Sequence, residues 1–80
     1  MFSAYILKSE KDGRYYYGSC KNVENRLFEH NAGKVKATKN RRPFAVCYVE
    51  EYMTRSEAYK RELFFKSIEG YRWLKDQKIT

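Results

Sequence analysis

Tyr5-Ile6-Leu7-Lys8-Ser9-Glu10-Lys11-Asp12-Gly13-Arg14-Tyr15-Tyr16-Tyr17-Gly18 is the stretch whose reading decides the fold. Two short runs with β-prone centres, residues 2–8 and 14–17, flank a polar segment that ends in Asp12-Gly13. Aromatic and β-branched residues suit a pleated surface. Asp-Gly between two such runs is a strong hairpin signal. The stretch predicts a β-hairpin closed by residues 10–13. In that register Tyr16 faces Leu7 and shares a sheet face with Tyr5, one diagonal away. A slip of one residue would turn Tyr16 to the other face.

Working outward, Asn22 reads as the N-cap of a helix over 23–32. Val23, Leu27 and Ala32 would lie on its buried side, and Gly33 is placed to stop it. Residues 34–42 carry Lys34, Lys36, Lys39, Arg41 and Arg42 with no acidic residue. They predict a basic loop that Pro43 closes. Phe44-Ala45-Val46-Cys47-Tyr48-Val49 is a near-continuous apolar run at the start of a segment 44–52. It predicts a strand buried on both faces, hence a central or covered one. Thr54-Arg55-Ser56-Glu57 is a capping box opening a helix over 55–68. Gly70 would end or kink that helix, and a short last helix over 71–77 carries Trp73 and Leu74. The order is β-β-α-β-α-α. A small three-stranded antiparallel sheet flanked by helices makes this an α+β domain.

The chain has 80 residues, enough for one domain. With 42% hydrophobic residues it can fold, and 17 basic against 10 acidic residues leave a formal net charge of +7. Such a charge predicts a polyanionic partner, nucleic acid or an acidic membrane surface. The membrane is the weaker of the two, because the cations sit in a loop and not along an amphipathic helix. No apolar run approaches a bilayer span. The N-terminus lacks the basic n-region of a signal peptide, which predicts a cytoplasmic protein. Cys20 and Cys47 form no C-x-x-C, so neither a zinc site nor a disulfide framework is expected. A single His excludes a multi-histidine metal site. Glycine-rich phosphate loops and a nucleophile elbow are absent.

Three groups could carry chemistry. Arg26 and His30 are four apart and share a helix face beside the Val23/Leu27 stripe. At the edge of the packed region they are either a solvated flank or a phosphate clamp. Glu62 falls where the apolar stripe of its helix belongs. A carboxylate there is either paired, with Lys66 as the i+4 partner, or a hard-oxygen ligand for Mg²⁺. Tyr5 and Tyr16 are either packing residues or reactive phenols, and Tyr15-Tyr16-Tyr17 also suits stacking on bases. Gly18 signals a bulge or a close backbone approach.

These residues, in this order, resemble the GIY-YIG nuclease superfamily. The first motif is degenerate, as Ser3-Ala4-Tyr5, followed by Ile6-Leu7-Lys8-Ser9. The second is Tyr16-Tyr17-Gly18. The helix motif is well kept from Asn22 through Arg26, Leu27, His30 and Gly33 to Lys34. Thr38, Pro43, Glu57-Ala58 and Arg61-Glu62 with Lys66 also fit. The resemblance covers nearly the whole chain, as one domain over 1–80. It is greatest to the small stand-alone bacterial proteins related to the N-terminal nuclease domain of the UvrC repair protein. Two departures stand out. The last helix offers no Asn, only Asp76 or Gln77, and Ser19 and Cys20 follow Gly18 where the repair enzyme has a Lys.

The resemblance implies a divalent-metal-dependent endonuclease acting on DNA, with structure-selective cutting and a repair setting among the expectations. Tyr5 and Tyr16 would be the motif tyrosines, Tyr16 the one that orients or deprotonates the attacking water. Arg26 would bind the scissile phosphate, and His30 would contact phosphate or assist proton transfer. Glu62 would hold a single Mg²⁺ or Mn²⁺. Lys21, Lys34, Lys36, Lys39, Arg41 and Arg42 would contact the nucleic-acid backbone, with a partner protein supplying specificity. The alternative is a nucleic-acid-binding module with little or no catalysis.

Overall fold

A computed structural model describes residues 1–80. Its elements are β1 (Phe2–Ser9), β2 (Tyr15–Cys20), α1 (Val23–Asn31), a 3₁₀ turn (Lys39–Arg41), β3 (Phe44–Tyr52), α2 (Arg55–Phe65) and α3 (Ile68–Asp76). The strands form one antiparallel sheet in the order β2-β1-β3. The architecture is the α+β arrangement that the sequence pattern predicts.

The hairpin register holds: Leu7 is opposite Tyr16, and Tyr5 is opposite Gly18. The Ser9 hydroxyl organises the turn by accepting from the backbone N–H groups of Lys11 (3.1 Å) and Asp12 (3.2 Å). Gly13 turns the chain with φ 71°, a region that favours glycine.

Period-two alternation on β1 splits the core in two. Tyr5 and Leu7 pack with Phe44 on one face, closed by Tyr16, Cys20, Val23 and Leu27, so α1 covers that side. Ala4 and Ile6 pack with Phe65 and Leu74 on the other, so α2 and α3 cover that one. The strand buried on both faces is therefore β1, and the expectation that 44–52 is buried on both faces, as a central or covered strand, is corrected. β3 is an edge strand, with Val46 and Val49 exposed. Val46 stands opposite Leu7 and Val49 opposite Tyr5, on a face that α1 covers only in part. A continuous apolar run reports hydrophobicity, not position in the sheet.

The Thr54–Glu57 capping box forms, each side chain bonding the other's backbone. The helix expected over 55–68 stops earlier, at Phe65. Ser67 then caps α3, its hydroxyl accepting from the Gly70 N–H at 3.0 Å. Gly70 thus belongs to the first turn of α3 and does not terminate α2. A Cβ there would collide with the Phe64 carbonyl oxygen, so the glycine lets the two helices turn tightly. The Ser67 cap is the signal that sets this boundary.

Candidate active site

The hairpin and α1 bring Tyr5, Tyr16 and His30 together. Tyr5 and Tyr16 have ring centroids 6.5 Å apart, and the His30 ring meets the Tyr16 ring edge-on at 4.8 Å. His30 is wholly buried, so the expectation that it emerges at the edge is corrected. Its α1 turn faces the sheet, where Phe44 lies 5.9 Å from it. Burial requires both ring nitrogens to be satisfied. Nδ1 lies 2.7 Å from the Thr38 hydroxyl and Nε2 lies 3.3 Å from the Tyr5 hydroxyl. Thr38 donates to the Val35 carbonyl, so it accepts from Nδ1–H. Nε2 is then unprotonated and accepts from Tyr5. Burial, and then the nearby Arg26 cation, push the His30 pKa below its ordinary value. The imidazole is neutral at pH 7.

Burial pushes Tyr5 up to about 12, against the pull of the adjacent Arg26 guanidinium. Tyr5 is only 1% exposed, whereas Tyr16 is partly open. The Tyr5 ring lies directly over Gly18, where any Cβ would overlap the phenol. This is the close approach that the glycine signalled. Arg26 is partly open as well and pairs with Glu29 at 3.2 Å. It lines an open cavity of about 490 Å³ together with Cys20, Lys21, Asn25 and Phe28. The chain Thr38–His30–Tyr5–Arg26 therefore runs from the buried side of the sheet to a solvent-facing cation.

Glu62 sits on the other side of the edge strand β2. Its Oε1 accepts from the Ser19 hydroxyl and its Oε2 from the Lys66 ammonium, each at 2.7 Å. The paired alternative weighed for Glu62 is thus present. Ser19 takes up the carboxylate at a position next to the second motif. The Lys66 pKa is raised, chiefly by its bond to Glu62, and the Tyr16 phenol is among the groups acting on it. No cluster of three or more His, Cys, Asp or Glu side chains occurs that could hold a metal. The donor set nevertheless fits Mg²⁺ or Mn²⁺, which one carboxylate can hold with water and substrate phosphate. A cation, the Lys66 ammonium, already stands at Oε2, and that side chain is half exposed.

The predicted backbone-contacting cations divide. Lys21, Lys34, Lys36, Lys39 and Arg42 are exposed. Arg41 is bound into the fold: its Nε pairs with Asp12 at 3.0 Å, and its guanidinium lies over Phe44. The loop over 34–42 is not featureless, since Thr38 introduces the 3₁₀ turn and is fully buried. The parts Thr38 and Ser19 play here escape residue-type reasoning, because both act as hydroxyl partners of other groups, His30 and Glu62.

A hairpin carrying paired tyrosines, an Arg–His helix laid over it and a carboxylate at its edge strand define a nuclease-type GIY-YIG domain. The chain belongs to the GIY-YIG family, whose catalytic domain matches residues 1–72. It is similar to a UPF0213 protein of Staphylococcus saprophyticus, 44% identical over 72 residues that cover 89% of this chain and 87% of that one. A UPF0213 protein of Listeria welshimeri is 48% identical over 65 residues, covering 80% of this chain and 71% of its own. The solution NMR structure of a UPF0213 protein from Bacillus halodurans superposes with a TM-score of 0.56 at 30% identity, covering 98% of this chain and 86% of that one. No helix is long and apolar enough to cross a membrane.

Proposed function

We propose that the protein is a divalent-metal-dependent endonuclease that hydrolyses phosphodiester bonds in DNA. The observation that carries this reading is the hydrogen-bonded chain from Thr38 through His30 to Tyr5, with the Arg26 guanidinium beside it at the mouth of an open cavity. Arg26 presents a permanent fork of donors to the non-bridging phosphate oxygens, where charge grows in the transition state. Tyr5, sealed by its neighbours, holds Arg26 in place. Tyr16, the more open phenol, orients the attacking water. The water oxygen bonds to phosphorus as the P–O3′ bond breaks, leaving 5′-phosphate and 3′-hydroxyl ends. A Mg²⁺ or Mn²⁺ ion held by Glu62 would polarise the phosphate and stabilise the leaving oxygen. Preference for branched or flapped DNA, a role in repair and a partner protein that supplies specificity belong to the same reading.

A second reading, a DNA-binding module without catalysis, is favoured by the Ser19 and Lys66 bonds that occupy both oxygens of Glu62. One experiment separates the two. Supercoiled plasmid and a branched duplex are incubated with the protein and Mg²⁺, Mn²⁺ or EDTA, beside Glu62→Ala and Arg26→Ala. Metal-dependent nicking that both substitutions abolish supports the nuclease. Folded protein that binds both substrates and cuts neither, with either metal, replaces it with the binding module.

A further inference from the structure

At the hairpin end of the molecule lies a second cavity of about 410 Å³, lined by Lys11, Asn31, Lys39, Asn40, Arg42 and Pro43. Three of its six lining residues are cations, and neither a carboxylate nor an aromatic ring is among them. We infer that Lys11, Lys39 and Arg42 form a second phosphate site, separate from the Arg26 cavity. The inference deepens the nuclease reading and rests on it, since the phosphate is one in the backbone of the DNA substrate.

The cations come from separate segments, and hydrogen bonds hold their frame. Lys11 belongs to the hairpin turn, and its ammonium donates to the Asn40 carbonyl at 3.1 Å. Arg42 donates Nε to the Lys39 carbonyl at 2.8 Å. Asn31 fixes the wall by bonding the Phe44 backbone twice, donating at 3.0 Å and accepting at 2.7 Å. The Ser9 hydroxyl donates to the Arg41 carbonyl at 2.6 Å and ties the hairpin turn to the 3₁₀ turn. These bonds leave free the remaining Lys11 N–H donors, the Lys39 ammonium and Nη2 of Arg42. Such a set suits a compact tetrahedral anion, because three cations line one cavity and none of its lining residues could stack on a base. Glu10 and Asp12 flank Lys11 in sequence: Asp12 is taken up by Arg41 at 3.0 Å, while the Glu10 backbone N–H bonds the Pro43 carbonyl and its side chain makes no ion pair.

The site is separate from the Arg26 cavity, with which it shares no lining residue. Arg26 and Asn31 are five residues apart on α1, about 7.5 Å along the axis. They also differ by about 140° around the helix, so the two cavities open on different sides of α1. The second phosphate is therefore a different one from that at Arg26. Lys39 also follows Thr38 directly, so a phosphate seated here braces the residue that holds Nδ1 of His30.

The test is a titration of the folded protein with inorganic phosphate, followed by amide NMR. Wild type is compared with a Lys11→Gln/Lys39→Gln variant. The expected result is a saturable shift confined to Asn31, Lys39, Asn40 and their neighbours, lost in the variant. The variant should also lower the slope of log affinity for duplex DNA against log salt by about 0.9, one phosphate's share. A non-saturating shift spread over all the lysines, or an unchanged slope in the variant, overturns the inference. These readouts do not involve cutting. Failure to nick DNA with either metal would remove the nuclease reading and leave the phosphate result to be judged alone.

Discussion

The Tyr5 hydroxyl lies 3.3 Å from Nε2 of His30, and solvent reaches neither side chain to any useful extent. A buried imidazole with its other nitrogen committed to Thr38 cannot turn to find a new partner. Tyr5 is thereby held in one orientation, and the Arg26 guanidinium rests against it. The cation proposed to meet phosphate would thus be positioned by residues that do not meet it.

Tyr5→Phe tests this directly. It leaves Nε2 of His30 buried and unpaired, at a cost of about 1–3 kcal/mol in stability. Misplacement of a phosphate-binding group by about 1 Å lowers the rate by about 100-fold. The expected outcome is a folded protein, seen by chemical denaturation, whose nicking rate falls by about that factor. Unchanged nicking with the full stability loss would show that Tyr5 supports the fold alone.

The depressed pKa of His30 gives stability a specific pH dependence. Burial is the main cause and the Arg26 cation the next. The unfolded chain protonates near pH 6.5, whereas the folded chain resists protonation to lower pH. Stability from this group is fully present above about 6.5 and is lost as pH falls through the folded pKa. Denaturation midpoints at pH 7.5, 6.5 and 5.5 should decline in wild type and decline less in His30→Gln. Equal declines in the two proteins would assign the pH effect elsewhere.

Gly18→Ala should disturb the site through one atom. The new Cβ would overlap the Tyr5 ring, which has no free space to retreat into. Overpacking of this kind costs about 1–3 kcal/mol. We expect a stable hairpin register with Tyr5 displaced, visible as changed NMR contacts between Tyr5 and His30, and a loss of nicking. Intact Tyr5–His30 contacts in the variant would contradict this account.

Much of this arrangement is legible along the chain. Asp12-Gly13 and the flanking aromatic runs specify the hairpin register, and register alone brings Tyr5 and Tyr16 together. Local caps are equally readable at Asn22 and Thr54. What periodicity misses is depth. Arg26 and His30 share a helix face, yet one is partly open and the other sealed, because the His30 ring packs between Tyr5, Tyr16 and Phe44 while Arg26 reaches past Tyr5 to solvent. The same limit misplaces 44–52, since an exposed Val46 and a buried Ile6 belong to equally apolar runs. Arg41 reads as a free cation until the fold delivers Asp12 to it across the hairpin turn.

On the far side of the sheet, Arg61 joins α2 to β3 by a forked pair with Glu50, at 2.7 and 3.2 Å. Tyr48 and Tyr52 donate to the same carboxylate. Burial works against the charge on Glu50, yet these donors outweigh it and hold the carboxyl below its usual range. The Arg61 guanidinium also lies 4.5 Å from the centroids of Phe64 and Trp73. Arg61→Met keeps the stem and removes the fork, and should cost about 2 kcal/mol in urea unfolding. Adding Glu50→Gln to it should recover part of that loss, because the unpaired charge is then gone. A double variant no more stable than the single one would show that the carboxylate is satisfied by its tyrosines.

A metal ion held by Glu62 through Oε2 would compete with Lys66 for that oxygen. The ammonium lies 2.7 Å from Oε2 of Glu62 and is half exposed, so it can swing into solvent. A pair this open contributes little, about 0.2–1 kcal/mol, after solvent screening. Removing it should therefore tighten metal binding by up to about fivefold. The effect is separable from DNA binding by titrating Mn²⁺ alone and following free ion by electron paramagnetic resonance. Lys66→Ala should bind Mn²⁺ more tightly than wild type, and Glu62→Ala should not bind it at this site. Ser19→Ala frees Oε1 but removes a neutral donor, so it should change affinity less than Lys66→Ala. If Lys66→Ala leaves Mn²⁺ affinity unchanged while Glu62→Ala abolishes it, the ion is held through Oε1. If Glu62→Ala binds Mn²⁺ as wild type does, Glu62 is not the ligand, and its bonds to Ser19 and Lys66 are structural.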